Sequence, residues 1–177
     1  MDKKELAKEI YKISHLTGTF KLRSGQTSHE YFDKYRFEAQ PHLLREISKQ
    51  LAPHIPPDTE ALAGLEVGGI PIATALSLET GLPVLFVRKK AKDYGTCQFA
   101  EGLDIQGKKL LVIEDVVTTG GQVLLSTQDL RQAGAIVDHV LCVILRHPQL
   151  PASFPEHNLG LTPLFTKEEL DLAAKSL

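Results

Sequence analysis

Residues 110–125 read Leu-Leu-Val-Ile-Glu-Asp-Val-Val-Thr-Thr-Gly-Gly-Gln-Val-Leu-Leu, and this stretch decides what kind of domain the chain forms. Residues 109–115 are an apolar run ending in Glu114 and Asp115, which predicts a strand buried on both faces in a parallel sheet. A short turn through Thr118-Thr119-Gly120-Gly121 leads into a predicted helix over 121–133. In open α/β sheets, ligands gather outside the carboxyl ends of the strands. Glycines allow close backbone approach there, and the amides at a helix start attract phosphate. The threonine hydroxyls add donors. Two acids beside such a loop would repel a bare phosphate, so they need another task. Holding neutral ribose hydroxyls, directly or through Mg²⁺ and its water, fits that task. Taken alone, the stretch is also compatible with a plain strand, turn and helix start carrying solvated acids.

The flanking sequence repeats the pattern. Short apolar runs at 61–65, 82–87 and 139–146 predict further strands, and 69–80 predicts a helix between the first two. Strand-helix-strand order with right-handed crossovers gives an α/β fold, a doubly wound parallel sheet flanked by helices. Upstream, Leu6, Ile10 and Ile13 recur at helical spacing over 2–16, with Asp2 available as a cap. Residues 20–37 suit two short strands or an irregular hairpin. Pro41 opens a helix carrying Leu43, Leu44, Ile47 and Leu51, which Pro53, Pro56 and Pro57 stop. The whole of 1–177 is expected to be one domain, with a small hood contributed by about 1–40 and the C-terminal tail. Residues 88–108 make a connection longer than usual, which often marks a functional lid.

Composition narrows the function classes. With 42% hydrophobic and 24% charged residues and a net charge of −2, the chain matches an ordinary soluble protein. That charge gives no electrostatic reason to expect a nucleic acid or an acidic membrane as partner. The start MDKKELAKEI lacks the apolar run of a signal peptide, and two cysteines are too few for a secreted disulfide scaffold. A cytoplasmic location is expected. The seven histidines show no close pair at ligand spacing, so a zinc site is not expected. Cys142 lies in an apolar run and reads as core, whereas Cys97 lies beside a basic loop. There is no G-x-x-x-x-G-K-[ST] and no G-x-G-x-x-G, which removes the standard phosphate loop of nucleotide hydrolases and the dinucleotide fingerprint. The turn Gly64-Leu65-Glu66-Val67-Gly68-Gly69 is a tight strand-to-helix connection of weaker diagnostic value.

Residues 110–121 resemble the phosphoribosyl pyrophosphate loop of the type I phosphoribosyltransferases: an apolar strand, two acids, two apolar residues, then T-T/S/A-G-x. The resemblance implies a 5-phosphate cradled by Thr118, Thr119, Gly120 and Gly121, and ribose hydroxyls held by Glu114 and Asp115. The segment Arg88-Lys89-Lys90-Ala91-Lys92-Asp93-Tyr94-Gly95-Thr96 sets four cations within five positions. By itself this could be a solvated basic loop, but a pyrophosphate leaving group needs cations where its charge develops. It closely resembles the R-K-x-x-K-D-[HY]-G loop of orotate phosphoribosyltransferases, which in that family reaches across a dimer into the partner's site.

Carried over by position, that likeness implies pyrophosphate contacts from Arg88, Lys89, Lys92 and Tyr94, and a homodimer whose 88–102 loop serves the neighbouring subunit. Phe20 to Gly25, then Ser28, Tyr31, Asp33 and Pro41, look like the family's hood segment. Arg23 takes the basic position that meets both donor and base there. The implied orotate site comprises Arg23, Tyr31, Phe32, Thr118 and Arg146, the last matching an arginine that pairs with the orotate carboxylate. The catalytic residues so implied are Lys92 and Asp115. Mg²⁺ is the implied cofactor, held by substrate and water with no direct protein ligand. The chain departs from the family at Arg23, often Lys, and at His29, often Pro. It departs again around Arg146, where Leu145 precedes and His147-Pro148-Gln149 follows. Orotate phosphoribosyl transfer is therefore the implied activity. Transfer to another base, or donor sensing without catalysis, stays open on sequence grounds.

Overall fold

The N-terminal block builds helix α1 (Lys3–Ser14), an antiparallel hairpin of β1 (His15–Lys21) and β2 (Thr27–Phe32), and helices α2 (Lys34–Glu38) and α3 (Pro41–Leu51). The computed structural model describes residues 1–21, 25–90 and 99–176. α1 starts on a capping box, in which Asp2 accepts from the Glu5 amide while the Glu5 side chain accepts from the Asp2 amide. A short 3₁₀ turn at Ala52–His54 follows α3.

Six strands form the main sheet: β3 (Ala61–Leu65), β4 (Val84–Val87), β5 (Ala100–Glu101), β6 (Leu110–Val117), β7 (His139–Leu145) and β8 (Gly160–Thr166), in the order β5-β4-β3-β6-β7-β8. All neighbours pair parallel except β4 with β5. Helices α4 (Gly69–Thr80), α5 (Gly121–Gln132), α6 (Ser153–Glu156) and α7 (Lys167–Ala174) complete the chain. The unbroken apolar runs are explained by burial on both faces. Along β6, Leu111 and Ile113 enter one core and Leu110 and Val112 the other. The first core joins the sheet to Leu6, Ile10, Ile47, Ile72 and Leu170, from α1, α3, α4 and α7. The second joins it to Val123 and Leu130 of α5 and to Phe154.

The structure adds detail to these expectations. α1 packs over a face of the sheet, because Leu6, Ala7 and Ile10 are buried in the same core as Phe165. Residues 160–166 add β8 to the sheet beside β7, and α7 starts directly from it on a second capping box, Thr166 with Glu169. The β1–β2 hairpin forms a sheet of its own and, with α2, is called the hood below. Finally, β6 runs on past the two acids, because parallel pairing continues from Val116 to Ile144 and from Val117 to Leu145. Among the described residues no helix is long and apolar enough to cross a membrane.

One arginine ties the far end together. Arg131, in the last turn of α5, donates to the carbonyls of Val137, His157 and Asn158. This fixes the approach to β7 and the approach to β8 against one helix end, where a cation is also favoured by the helix dipole.

Candidate active site

Chain order leaves β3 and β6 adjacent although β4 follows β3, so the sheet reverses its winding between them. A crevice opens at such a point outside the strand carboxyl ends. Because β4, β3, β6 and β7 are parallel, their outgoing turns share one edge: Arg88 to Lys90 after β4, Glu66 to Gly69 after β3, Thr118 to Gly121 after β6, and Arg146 after β7. Strand spacing puts the first and third of these about 10 Å apart.

The β6 turn is shaped by Gly120, at φ 74° and ψ 2°, immediately before α5. A Cβ there would lie 2.5 Å from Phe154 Cε1 and 3.2 Å from Pro151 Cγ, so both conformation and space call for glycine. Thr118, Thr119, Gly121 and Gln122 are exposed, and the free amides of the first helical turn lie beside the threonine hydroxyls. That is an anion-binding arrangement.

The acids sit differently from each other. Asp115 is fully buried, whereas Glu114 is partly exposed. The Asp115 carboxylate lies on the β3–α4 turn, where a Cβ at Gly68 would fall 1.6 Å from its Oδ2. Lys34 Nζ stands 2.6 Å from the same oxygen, an ion pair that lies off the ideal hydrogen-bond axis. Glu38, one turn along α2, is buried beside them. Desolvation, then the hydrogen bond and charge of Asp115, push the Glu38 carboxyl up to about 9. Burial and the Asp115 carboxyl likewise hold Glu114 well above the ordinary range. For Asp115, burial acts upward but is outweighed by the close approach of Glu114, Glu38 and the Lys34 ammonium, so it falls below the usual value and carries the negative charge. Burial tends to neutralise the Lys34 ammonium, yet its contact with Asp115 raises it overall. Three carboxyls thus crowd one ammonium, with the charge on Asp115.

A second hollow of about 240 Å³ opens beside the first. Tyr31 and Phe32 of β2 and Arg146 after β7 line it, over a floor of Ile144 and Leu170. His15, stacked on Tyr11 at a ring separation of 4.7 Å, and Glu30 close one side, and Lys167 and Asp171 of α7 close another. The Arg146 amide donates to the Val117 carbonyl at 2.8 Å, so the hollow adjoins the residue just before Thr118.

Of the residues singled out from sequence, Tyr31, Phe32 and Arg146 therefore come together in one hollow. Glu114, Asp115 and Thr118 to Gly121 share the crevice next to it, with Arg88 and Lys89 exposed on the same sheet edge, two strands away. Thr118 does not line the hollow. Arg23, Lys92, Tyr94 and Cys97 lie outside the described residues. Sequence reading missed Lys34, Glu38 and Lys167. The signal for the first two was Asp33, which caps α2 by accepting from the Tyr35 amide. Among the described residues no three His, Cys, Asp or Glu side chains are grouped to hold a metal ion.

This fold, with an exposed threonine-glycine turn at a helix start and an acid pair at its switch point, defines the phosphoribosyltransferase class. Residues 35–152 match the family model of the phosphoribosyl transferase domain. The chain is 50% identical to an orotate phosphoribosyltransferase of Nocardioides sp. over 97% of its own length and 96% of the relative's. It also superimposes on a crystal structure of the Mycobacterium tuberculosis H37Rv orotate phosphoribosyltransferase in complex with Fe(III) dicitrate. The TM-score is 0.85 at 28% identity, covering 96% of this chain and 99% of that one. The same enzyme in complex with 5-phospho-α-D-ribosyl 1-diphosphate gives 0.80 at 25% identity, covering 97% and 99%. The chain belongs to the orotate phosphoribosyltransferase family.

Proposed function

We propose that this chain transfers ribose 5-phosphate from phosphoribosyl pyrophosphate to orotate, giving orotidine 5′-monophosphate and pyrophosphate for pyrimidine nucleotide synthesis in the cytoplasm. The observation that carries this reading is the junction of two subsites. The phosphate-cradling turn continues directly from Val117, whose carbonyl holds the Arg146 amide at the wall of the hollow. A sugar phosphate in the crevice and a planar acidic base in the hollow would meet there.

In this reading Thr118 to Gly121 bind the 5-phosphate, and Glu114 and Asp115 face the ribose hydroxyls. Arg146 supplies a planar fork for the base's carboxylate, with Tyr31 and Phe32 covering its ring. Thr118, and Arg23 from the hood, complete the contacts to the base and donor. The bond from C1′ to the pyrophosphate oxygen breaks with its electron pair leaving on pyrophosphate. Orotate, deprotonated at N1, forms the new N1–C1′ bond from the opposite face. No side-chain nucleophile is needed, so the protein's work is positioning and charge stabilisation. Arg88, Lys89, Lys92 and Tyr94 would neutralise the departing pyrophosphate as the 88–102 loop closes, contributed by the partner subunit of a homodimer. Mg²⁺, when bound, would add charge neutralisation between donor hydroxyls and pyrophosphate. The protein side offers Glu114, partly exposed and beside the crevice, as the acid able to orient the water around it.

Competition among free bases tests the base assignment. Orotate should be consumed in preference to uracil, adenine and hypoxanthine in a mixture with the donor. Equal or preferred use of a base lacking a carboxylate would overturn it.

A further inference from the structure

We propose that Lys34 and Glu38 are positioning residues for donor binding: from the hood helix α2 they fix the carboxylate of Asp115, so that donor affinity depends on where the hood stands. This rests on reading the β6 turn as the donor site.

Three observations converge on Asp115. Lys34 Nζ approaches its Oδ2 to 2.6 Å, although the two residues belong to the hood and to the central strand. Glu38 is buried on the same helix, with its Oε1 lacking a hydrogen-bond partner among the described residues. The opposite side of the carboxylate is closed by Gly68, where not even a methyl group would fit. Asp115 is thus gripped between the β3–α4 turn and α2, and has no free rotation. Its neighbour Glu114 accepts at Oε1 from the Asp115 amide at 3.0 Å, so the two acids are linked through the backbone.

The hood end of this contact is anchored independently. Asp33 caps α2 through its side chain, and its amide donates to the Ser14 carbonyl at the end of α1. Helix α2, five residues long, is held by this cap and by its buried Phe37 and Glu38. A buried ion pair is a poor source of net stability compared with apolar packing, but removing one partner leaves the other uncompensated. Lys34 is suited to an orienting task because its side chain is one-third exposed, at the rim where the donor would lie, while its partner is fully buried.

The test is calorimetric titration of phosphoribosyl pyrophosphate, with Mg²⁺, into wild type, Lys34→Met, Asp115→Asn and the double variant, each checked by thermal melting. Lys34→Met should weaken donor binding on the order of tenfold, as expected for residues acting through one contact. In the Asp115→Asn background the same change should cost nothing further. Glu38→Gln, which keeps a donor to Asp115, should preserve affinity that Glu38→Ala loses. This second pair carries the test if Lys34→Met does not fold. Wild-type affinity in folded Lys34→Met, or costs that simply add in the double variant, would overturn the positioning role. Equal affinities of the two Glu38 variants would do so as well. Failure of wild type itself to bind the donor would instead overturn the donor-site reading.

Discussion

At the scale of single residues, two positions connect backbone or protonation directly to function. Gly120 combines a positive φ with contact against Phe154. Gly120→Ala is predicted to cost about 1–3 kcal/mol of stability from the left-handed conformation alone. It should also weaken donor binding, because relieving the Phe154 contact shifts the phosphate turn; melting and titration on the same sample check both. Glu38 gives a pH signature. Its carboxyl is raised from an ordinary 4.5 to about 9 by burial, beside Asp115, Lys34 and Asp33. Between those values the native state holds a proton that the unfolded state has lost, so this contribution to stability is whole below about 4.5 and disappears as pH rises toward 9. Asp115, lowered instead, acts at acid pH and outside this window. Glu38→Gln should therefore melt higher than wild type at pH 8 to 9, with the gap closing toward pH 5. A constant gap across that range would refute the assignment. The two features differ in how legible they were in the sequence. The glycine was, because a turn between strand and helix demands it. The buried glutamate was not, because Tyr35-Arg36-Phe37-Glu38 has no periodicity long enough to separate a short helix from a hairpin.

At the scale of elements, the buried strands were readable because burial on both faces imposes unbroken apolar runs such as Leu110 to Ile113. β8 escaped for the opposite reason. As an edge strand it tolerates Pro163, which pairs opposite Cys142, and it carries the polar Thr162, so its run is broken. Its companion α7 starts on Thr166-x-x-Glu169, a capping-box pattern that the reading of the sequence did not use. The consequence was functional, since β8 and α7 bring Lys167, Leu170 and Asp171 to the hollow. The hollow as a unit yields a sharp expectation. Arg146→Ala should lose a charged hydrogen bond of about 1.5–3 kcal/mol, seen as roughly a 10- to 100-fold rise in KM for orotate. The KM for phosphoribosyl pyrophosphate should change little. Steady-state kinetics with each substrate varied in turn will show it, and a loss confined to the donor would contradict the division into two subsites.

At the scale of the whole molecule, the crevice end of the sheet gathers turns from four strands, and the hood reaches the same point through Lys34 and Asp115. Sequence order foretold the sheet edge because parallel strands must place all their carboxyl ends together. It could not foretell the hood contact, which joins residues far apart in the chain through tertiary packing alone. If the 88–102 loop serves the neighbouring subunit, Lys92→Ala and Asp115→Ala chains should each be nearly inactive and regain activity when mixed. Random pairing makes half the dimers mixed, each with one whole site, so recovery should reach about a quarter of wild type. No recovery on subunit exchange would mean the loop acts within its own chain.

The loss of orotate absorbance, followed with purified protein, phosphoribosyl pyrophosphate and Mg²⁺, bears on all three scales at once. Turnover that stops on adding a chelator, and that runs backward when orotidine 5′-monophosphate and pyrophosphate are supplied, is the predicted result. Intact orotate in the presence of a donor that demonstrably binds would contradict the base assignment and turn attention to Arg146 and the hollow around it.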